Sequence, residues 1–105
     1  MTRRLWLIAD DFGLSPGIDE AIVHLLRFGR LSGTGCMTGF PEWPIAARRL
    51  RDLPSGTAIG LHLTLTDQIA ATGPSSFAPE GRLPSFGRLA AMTATSAKAH
   101  EAALA

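Results

Sequence analysis

The sequence predicts an α/β fold built on a small parallel sheet, because strand-like segments alternate with helix-like segments along the chain. The strand-like segments are short and rich in apolar or β-branched residues, and they lie at residues 4–9, 31–39 and 57–66. Each of the two intervening segments repeats apolar residues at helical spacing. Strand, helix and strand in succession form right-handed βαβ units around a parallel sheet. We therefore expect the order βαβαβ within residues 1–66.

Length and composition limit the classes of protein that the chain can belong to. Its 105 residues have the size of one compact domain and are too few for a closed eight-stranded barrel. Apolar residues make up 46% and charged residues 18%, which is enough apolar content for an ordered core. The formal net charge is +1 and no basic cluster is present, so we expect no nucleic-acid partner.

The single cysteine and the short apolar runs bear on the cellular compartment. Cys36 has no partner for an internal disulfide, and it lies in a predicted strand, where a small core residue is the expected role. The apolar run at residues 5–9 is followed by two aspartates and is too short for a signal peptide or a membrane span. We expect a cytoplasmic protein with no membrane partner.

The first predicted strand is apolar after Arg4 and ends at the adjacent pair Asp10 and Asp11. Such a run is typical of a strand that is buried on both faces of a parallel sheet, so Trp6 is expected in the core. Parallel strands carry functional side chains at their carboxyl ends. The aspartate pair is therefore predicted to lie at a functional edge of the sheet.

A helix is predicted to follow, with Ser15 as its N-cap, Pro16 in its first turn and Gly29 at its end. Its buried face follows the i, i+3, i+4, i+7 spacing. The residues of this face are Ile18, Ala21, Ile22, Leu25 and Leu26.

Glycines mark the second strand, at residues 31–39, and predict close packing against a neighbour. A proline-containing turn at residues 41–44 leads into the second helix, which ends at residues 54–56. The third strand, at residues 57–66, contains His62 as its only ionisable side chain.

The remainder of the chain has a different composition. Residues 67–87 are rich in glycine, proline and serine and predict a long loop of the kind that often carries function. Residues 88–105 are alanine-rich and permit a helix, but no cap and no following strand end it. We interpret the chain as a single incomplete domain, with a βαβαβ half at 1–66, a loop at 67–87 and a truncated helix at 88–105.

The aspartate pair has two interpretations. In the first, Asp11 and Ser15 cap the following turn and helix while Asp10 faces solvent. In the second, one carboxylate binds a divalent metal and its neighbour acts as a general base on a water molecule. Burial of a carboxylate costs several kcal/mol unless it is paired, hydrogen-bonded or bound to a metal, so two adjacent ones require an explanation.

His62 favours the metal interpretation, although a lone histidine in a strand is more often a core residue. It belongs to the same predicted sheet as Asp11, and parallel strands place residues of equivalent height side by side. Thr64 shares the face of His62 and is a candidate to hydrogen-bond a ligand. Phe40 and Trp43, in the loop after the second strand, are aromatic candidates to contact a ligand.

Two motifs and their spacing resemble a known family. The segments are Ala-Asp-Asp-Phe-Gly-Leu-Ser-Pro-Gly-Ile at 9–18 and Gly-Leu-His-Leu-Thr-Leu-Thr at 60–66. They are similar to those of the YdjC-like carbohydrate deacetylases, also called the ChbG/HpnK family. The resemblance implies a distorted (β/α) barrel of the polysaccharide-deacetylase type, which binds a divalent metal through one aspartate and two histidines and removes acetyl groups from N-acetylated sugars such as chitooligosaccharides.

Matched to this family, Asp11 and His62 correspond to metal ligands and Asp10 to the catalytic base. The second metal histidine of the family belongs to a histidine-rich segment that this chain lacks, and His100 has none of its surrounding motif. The resemblance therefore implies the N-terminal portion of a metal-dependent deacetylase that has little or no activity by itself.

Several alternatives stay open. A metal phosphohydrolase would use the same residue types, and a non-catalytic fragment would only bind sugar. The cofactor is a divalent ion, either magnesium or a zinc-like metal. An N-acetylated sugar is the expected partner, and Phe40 and Trp43 are candidates to stack on it. An exposed barrel edge would favour self-association.

Overall fold

The computed structural model describes residues 2–69 and 73–104, with side chains described as far as residue 96. Its helices and strands alternate in the predicted order, and a short 3₁₀ turn at Leu50–Asp52 follows the second helix. The elements are β1 Ile8–Phe12, α1 Pro16–Arg27, β2 Gly33–Cys36, α2 Trp43–Arg49, β3 Ala58–Leu61 and α3 Phe86–Leu104.

The chain divides into two compact units, Met1–Thr64 and Leu65–Ala105. The first unit contains the sheet, α1 and α2, and the second contains α3. That both units form one incomplete domain stays a prediction.

The sheet has three strands in the order β1-β2-β3, and both pairs are parallel. The prediction of an α/β fold with a parallel sheet is thus confirmed. β2 and β3 pair without interruption from Gly33 opposite Ala58 to Cys36 opposite Leu61. The pairing of β1 with β2 is interrupted, since Ala9 lies opposite Thr34 but Phe12 lies opposite Cys36. Two residues of β1 therefore face one residue of β2.

The first strand begins later than predicted and contains the aspartates instead of ending before them. Trp6 precedes the strand and is 65% exposed, so the prediction that it lies in the core is wrong. The physical reason is that an apolar sequence is buried only where another layer covers it. Within the described residues β1 is one of the two outer strands of the sheet, and hydrogen bonds between Leu7 and Ser32 hold the segment before it.

The first helix begins at Pro16 and ends at Arg27, close to the predicted limits. Ser15 occupies the N-cap position, but its hydroxyl makes no capping hydrogen bond. Gly29 has φ +64° and donates its N–H to the carbonyl of Leu26, which is the left-handed geometry that ends many helices.

A small core lies in the first unit. Phe12 is fully buried at the end of β1 and packs with Ile22 and Leu26 of α1. Cys36 of β2 and Ala46 of α2 complete the cluster. Removing a large side chain from water stabilises a fold by about 1.5–3 kcal/mol. These contacts hold the carboxyl end of β1 against α1.

The third strand ends at Leu61, whereas the sequence predicted a strand as far as Thr66. β2 ends at Cys36, and the next residue, Met37, donates its N–H back to the carbonyl of Phe12. The residues after His62 therefore have no neighbouring strand to pair with. His62 itself donates its N–H to the carbonyl of Cys36 at 2.9 Å, which extends the ladder by one residue.

In the second unit, a loop precedes α3. An antiparallel bridge joins Ile69 and Arg82, and Leu83 donates its N–H to the carbonyl of Gln68 at 2.7 Å. The helix begins two residues before the predicted start at residue 88. Among the described helices, none has the length and apolar content needed to cross a bilayer.

Candidate functional site

Asp11 and His62 meet at the carboxyl ends of β1 and β3. Oδ1 of Asp11 lies 3.1 Å from Nδ1 of His62, and both side chains are partly exposed. The two residues were predicted to converge because parallel strands end at the same edge of the sheet. This distance confirms their proximity.

A β-bulge in β1 directs the aspartate pair. Asp10 and Asp11 together face the single residue Gly35 of β2, and Asp11 has φ +70°. Adjacent residues of a regular strand point to opposite faces of the sheet, but an extra residue redirects a side chain. A left-handed backbone costs an L-residue about 1–2 kcal/mol, and aspartate is one of the few residues that adopt it. The bulge was not predicted, because no glycine marks it.

Gly35 forms the floor beneath Asp10. A Cβ atom at position 35 would lie 2.8 Å from Oδ1 of Asp10 and 3.5 Å from Cβ of His62. The Asp10 carboxylate therefore rests on the bare backbone of β2, beside the histidine. The structure thus brings together Asp10, Asp11 and His62, all three predicted from sequence, and it adds Gly35, whose signal was the run of glycines in the second strand.

The ring nitrogen of His62 that faces Asp11 is withdrawn from solvent and has no hydrogen-bond partner among the described residues. Oδ1 of Asp11 lies 3.1 Å from this nitrogen but forms no hydrogen bond with it. A buried polar atom without a partner costs about 1–3 kcal/mol. Two ligands of one divalent ion, each bonded at about 2.0–2.2 Å, lie roughly 3.0–3.4 Å apart. The separation and the unpartnered nitrogen both fit a shared cation.

Within the described residues, no third candidate metal ligand completes the site formed by Asp11 and His62. No group of three or more histidine, cysteine, aspartate or glutamate side chains in the described part of the chain is arranged to hold a metal. The side chain of His100 lies outside the described part. The described residues of the site therefore offer one carboxylate and one imidazole that could hold a metal.

Comparison with known proteins assigns the family. The sequence profile described as "YdjC-like protein" matches residues 4–105. The chain belongs to the YdjC-like family. A chitooligosaccharide deacetylase of Citrobacter koseri is 36% identical over 83 residues, which cover 79% of this chain and 32% of that protein.

Further YdjC-like relatives carry similar names. A carbohydrate deacetylase of Vibrio cholerae is 36% identical over 72 residues, or 69% of this chain and 28% of that protein. Carbohydrate deacetylase 1 of Listeria innocua is 40% identical over 58 residues, or 55% of this chain and 23% of that protein. The chain thus spans about a third or less of the relatives that it matches. No solved structure matches it.

In this YdjC-like chain, Trp43 lies beside the turn that follows the aspartate pair. A Cβ atom at Gly13 would lie 3.0 Å from Cε3 of its ring, and the ring also packs on the core cluster. Phe40 is half-buried in the preceding turn, where its carbonyl accepts the N–H of Trp43. Their role in stacking on a sugar stays a prediction.

Thr64 follows β3 and has a buried hydroxyl oxygen without a hydrogen-bond partner among the described residues. A hydroxyl in this state is available to a ligand that reaches it. Its predicted contact with substrate has not been tested and stays a prediction.

Cys36 lies in the core of the first unit and not at the site. Burial, and to a smaller extent the negative charge of Asp19, raises the pKa of its thiol above the ordinary value of 9.0. A thiol of raised pKa is a poor nucleophile at neutral pH. The expectation of a small core residue is therefore confirmed.

Proposed function

We propose that Asp10, Asp11 and His62 form part of the active site of a metal-dependent hydrolase that removes acetyl groups from N-acetylated sugars. The observation that carries the proposal is the 3.1 Å approach of Asp11 to an unpartnered, buried nitrogen of His62. The names of the relatives, chitooligosaccharide deacetylase and carbohydrate deacetylase, support this reaction and this substrate class.

Asp11 and His62 would hold a divalent ion, since oxygen and imidazole ligands suit both magnesium-like and zinc-like metals. When bound, such an ion polarises the acetyl carbonyl and makes a water molecule more acidic. Because Asp11 and His62 both lie at the carboxyl end of the sheet, the sugar amide is proposed to bind at that edge.

Asp10 is proposed as the general base. Its carboxylate lies over Gly35 beside His62 and is exposed, so a water molecule can reach it. In this role Asp10 accepts the proton of the attacking water while the amide carbon is attacked. Among the described residues none is assigned to protonate the departing amine.

The completeness of the site bears on activity. Catalytic zinc centres ordinarily have three protein ligands and an open position, and the described residues supply two. We therefore propose that the 105-residue chain alone has little or no activity. We propose further that its sheet is part of a distorted (β/α) barrel whose remaining strands correspond to the larger part of the relatives' sequence.

Metal binding tests the site directly. Isothermal titration with Zn²⁺, Co²⁺ and Mg²⁺ is compared for the wild type, Asp11→Asn and His62→Ala. The matched controls are Asp52→Asn and His24→Ala, which alter an exposed residue of the same type elsewhere in the first unit. We expect binding in the wild type and both controls and its loss in the two site variants. Equal binding by all five proteins, or by none, would contradict the proposal.

The reaction class needs a second measurement. Release of acetate from N,N′-diacetylchitobiose and of phosphate from p-nitrophenyl phosphate is followed with saturating metal, for the wild type and Asp10→Asn. We expect at most slow acetate release, which Asp10→Asn abolishes, and no phosphate release. Faster turnover of the phosphate ester would favour the phosphohydrolase alternative. Titration of the amide signals of Gly13 and Gly35 with diacetylchitobiose and with its deacetylated form tests sugar binding in a chain that does not turn over.

A further inference from the structure

Asp19 is a buried carboxylate that the proposed reaction does not use. It lies in the first turn of α1 and is 2% exposed. Its Oδ1 accepts the backbone N–H of Gly13 at 2.6 Å. No lysine, arginine or histidine forms an ion pair with it within the described residues. Burying a carboxylate is costly unless the group is hydrogen-bonded or paired. The N–H of Gly13 supplies that hydrogen bond to Asp19, so the buried carboxylate and the turn at Gly13 depend on each other.

The hydrogen bond holds the turn that leaves the aspartate pair. Leu14 donates its N–H to the carbonyl of Asp11 at 3.1 Å, which closes a β-turn around Phe12 and Gly13. Gly13 has φ +94°, as the third residue of a type II turn requires. Charge-assisted hydrogen bonds to backbone N–H groups are shorter and stronger than neutral ones. Asp19 thus holds the peptide group between Phe12 and Gly13.

The turn has other supports, but among the described residues none of them binds the N–H of Gly13. Phe12 is fully buried, and its carbonyl accepts the N–H of Met37 at 2.7 Å. The hydroxyl of Ser15, at the N-cap, makes no capping hydrogen bond. Asp11 itself is in a left-handed conformation, which it would leave for an extended one if the turn were free to relax. Such a change would rotate its carboxylate away from His62.

We infer that Asp19 is a positioning residue, which holds the turn at Asp11–Leu14 so that the Asp11 carboxylate faces His62. The inference rests on the proposed function in one respect only, namely that the aligned pair binds metal. The alignment itself is a property of the metal-free chain and is measurable without any ligand.

Backbone NMR of the metal-free chain is the first test. The Cα and Cβ shifts of Asp11 report its left-handed backbone, and hydrogen exchange of the Gly13 amide reports its bond to Asp19. We expect Asp19→Ala to lose Gly13 protection and to move the Asp11 shifts toward extended values. Asp19→Asn keeps an acceptor oxygen and should retain both signals in part. The matched control Glu20→Ala removes an exposed acidic residue next to Asp19 and should change neither.

Metal affinity is the second test. We expect Asp19→Ala to bind Zn²⁺ about tenfold more weakly than the wild type, with Asp19→Asn in between and Glu20→Ala unchanged. A folded Asp19→Ala variant with unaltered Asp11 shifts would overturn the inference. If Asp19→Ala does not fold, Asp19→Asn decides: loss of Gly13 protection with unchanged Asp11 shifts overturns it. A wild type that binds no metal would remove the proposed function, while the NMR result would still decide the role of Asp19.

Discussion

Asp10 lies directly over Gly35, with its Oδ1 only 2.8 Å from the place where a side chain at position 35 would begin. The carboxylate of Asp10 therefore occupies the space that the side chain of any other residue type at position 35 would need. Both strands are needed for this arrangement, because β1 contains the aspartate and β2 contains the glycine that leaves room for it.

This relationship predicts the effect of Gly35→Ala. The new methyl group must displace the Asp10 carboxylate, so we expect a shifted Asp10 side-chain signal in NMR spectra and loss of any acetate release. The matched control is Gly60→Ala in β3, where the nearest atom to a Cβ is the carbonyl of Thr34 at 4.0 Å. The control should leave the Asp10 signal in place. An unmoved Asp10 in Gly35→Ala would show that the site accommodates the methyl group.

Steric crowding and backbone strain can be separated at two other glycines. Gly13 has φ +94° and little room, since a Cβ there would lie 2.9 Å from the carbonyl of Met37. Gly56 has φ +88°, and no atom lies within 4 Å of its Cβ position. We expect Gly56→Ala to lower the free energy of unfolding by about 1 kcal/mol and Gly13→Ala by clearly more. Urea denaturation measures both, and equal losses would contradict the crowding at Gly13.

The core depends on Phe12, which is fully buried, whereas Phe28 at the end of α1 is 68% exposed. Phe12→Ala should lower the free energy of unfolding by about 3–5 kcal/mol, because it removes a large buried ring and leaves a cavity. Phe28→Ala should cost less than about 1 kcal/mol. Chemical denaturation measures both variants, and equal stability of Phe12→Ala and Phe28→Ala would contradict the prediction.

Cys36 predicts a loss of stability in alkaline solution. Burial, followed by the charge of Asp19, raises the pKa of the thiol in the folded chain above its ordinary value of 9.0. Between these two pKa values the unfolded chain has lost the thiol proton and the folded chain keeps it, so the free energy of unfolding falls as the pH rises. At pH values below the ordinary pKa, the stability that comes from burying the neutral Cys36 thiol is fully present. Denaturation curves from pH 7 to 10.5 should show a steeper decline for the wild type than for Cys36→Ala, and parallel declines would contradict the assignment.

Both outer strands of the sheet have a free edge within the part of the chain that the structure describes. Apolar side chains of β3 itself are exposed, among them Leu61 at 63%. Free edges with apolar surface favour association, so we expect a concentration-dependent dimer or larger species in light scattering. Leu61→Lys should reduce it. Phe86→Lys, which alters an exposed apolar residue at the start of α3, serves as control and should not.

The order of the elements and the location of Asp11 and His62 at one edge of the sheet were predictable from two physical rules. Apolar periodicity distinguishes strands from helices, and parallel strands must end at a common edge. These rules predicted a common edge for the two residues, whereas the 3.1 Å separation also depends on the bulge and the left-handed backbone at Asp11, which were not predicted.

Other features depend on contacts that no short sequence pattern contains. Burial of Trp6 required a covering layer, and the length of β3 required a partner strand beyond Cys36. The bulge at Asp10 and Asp11 arises from the mismatch between two strands, which only their pairing reveals. The buried carboxylate of Asp19 had the sequence signature of an ordinary first-turn acid.

Position 11 must meet two separate requirements, one from its left-handed backbone and one from the proposed role of its side chain. The chain requires a residue that tolerates positive φ, which favours glycine, asparagine and aspartate. The proposed role as a metal ligand requires a short anionic side chain, which asparagine and glycine lack. Glutamate would supply the charge but not the backbone tolerance. A saturation library selected for folding alone should therefore accept three residue types at this position, and one selected for metal retention should return aspartate.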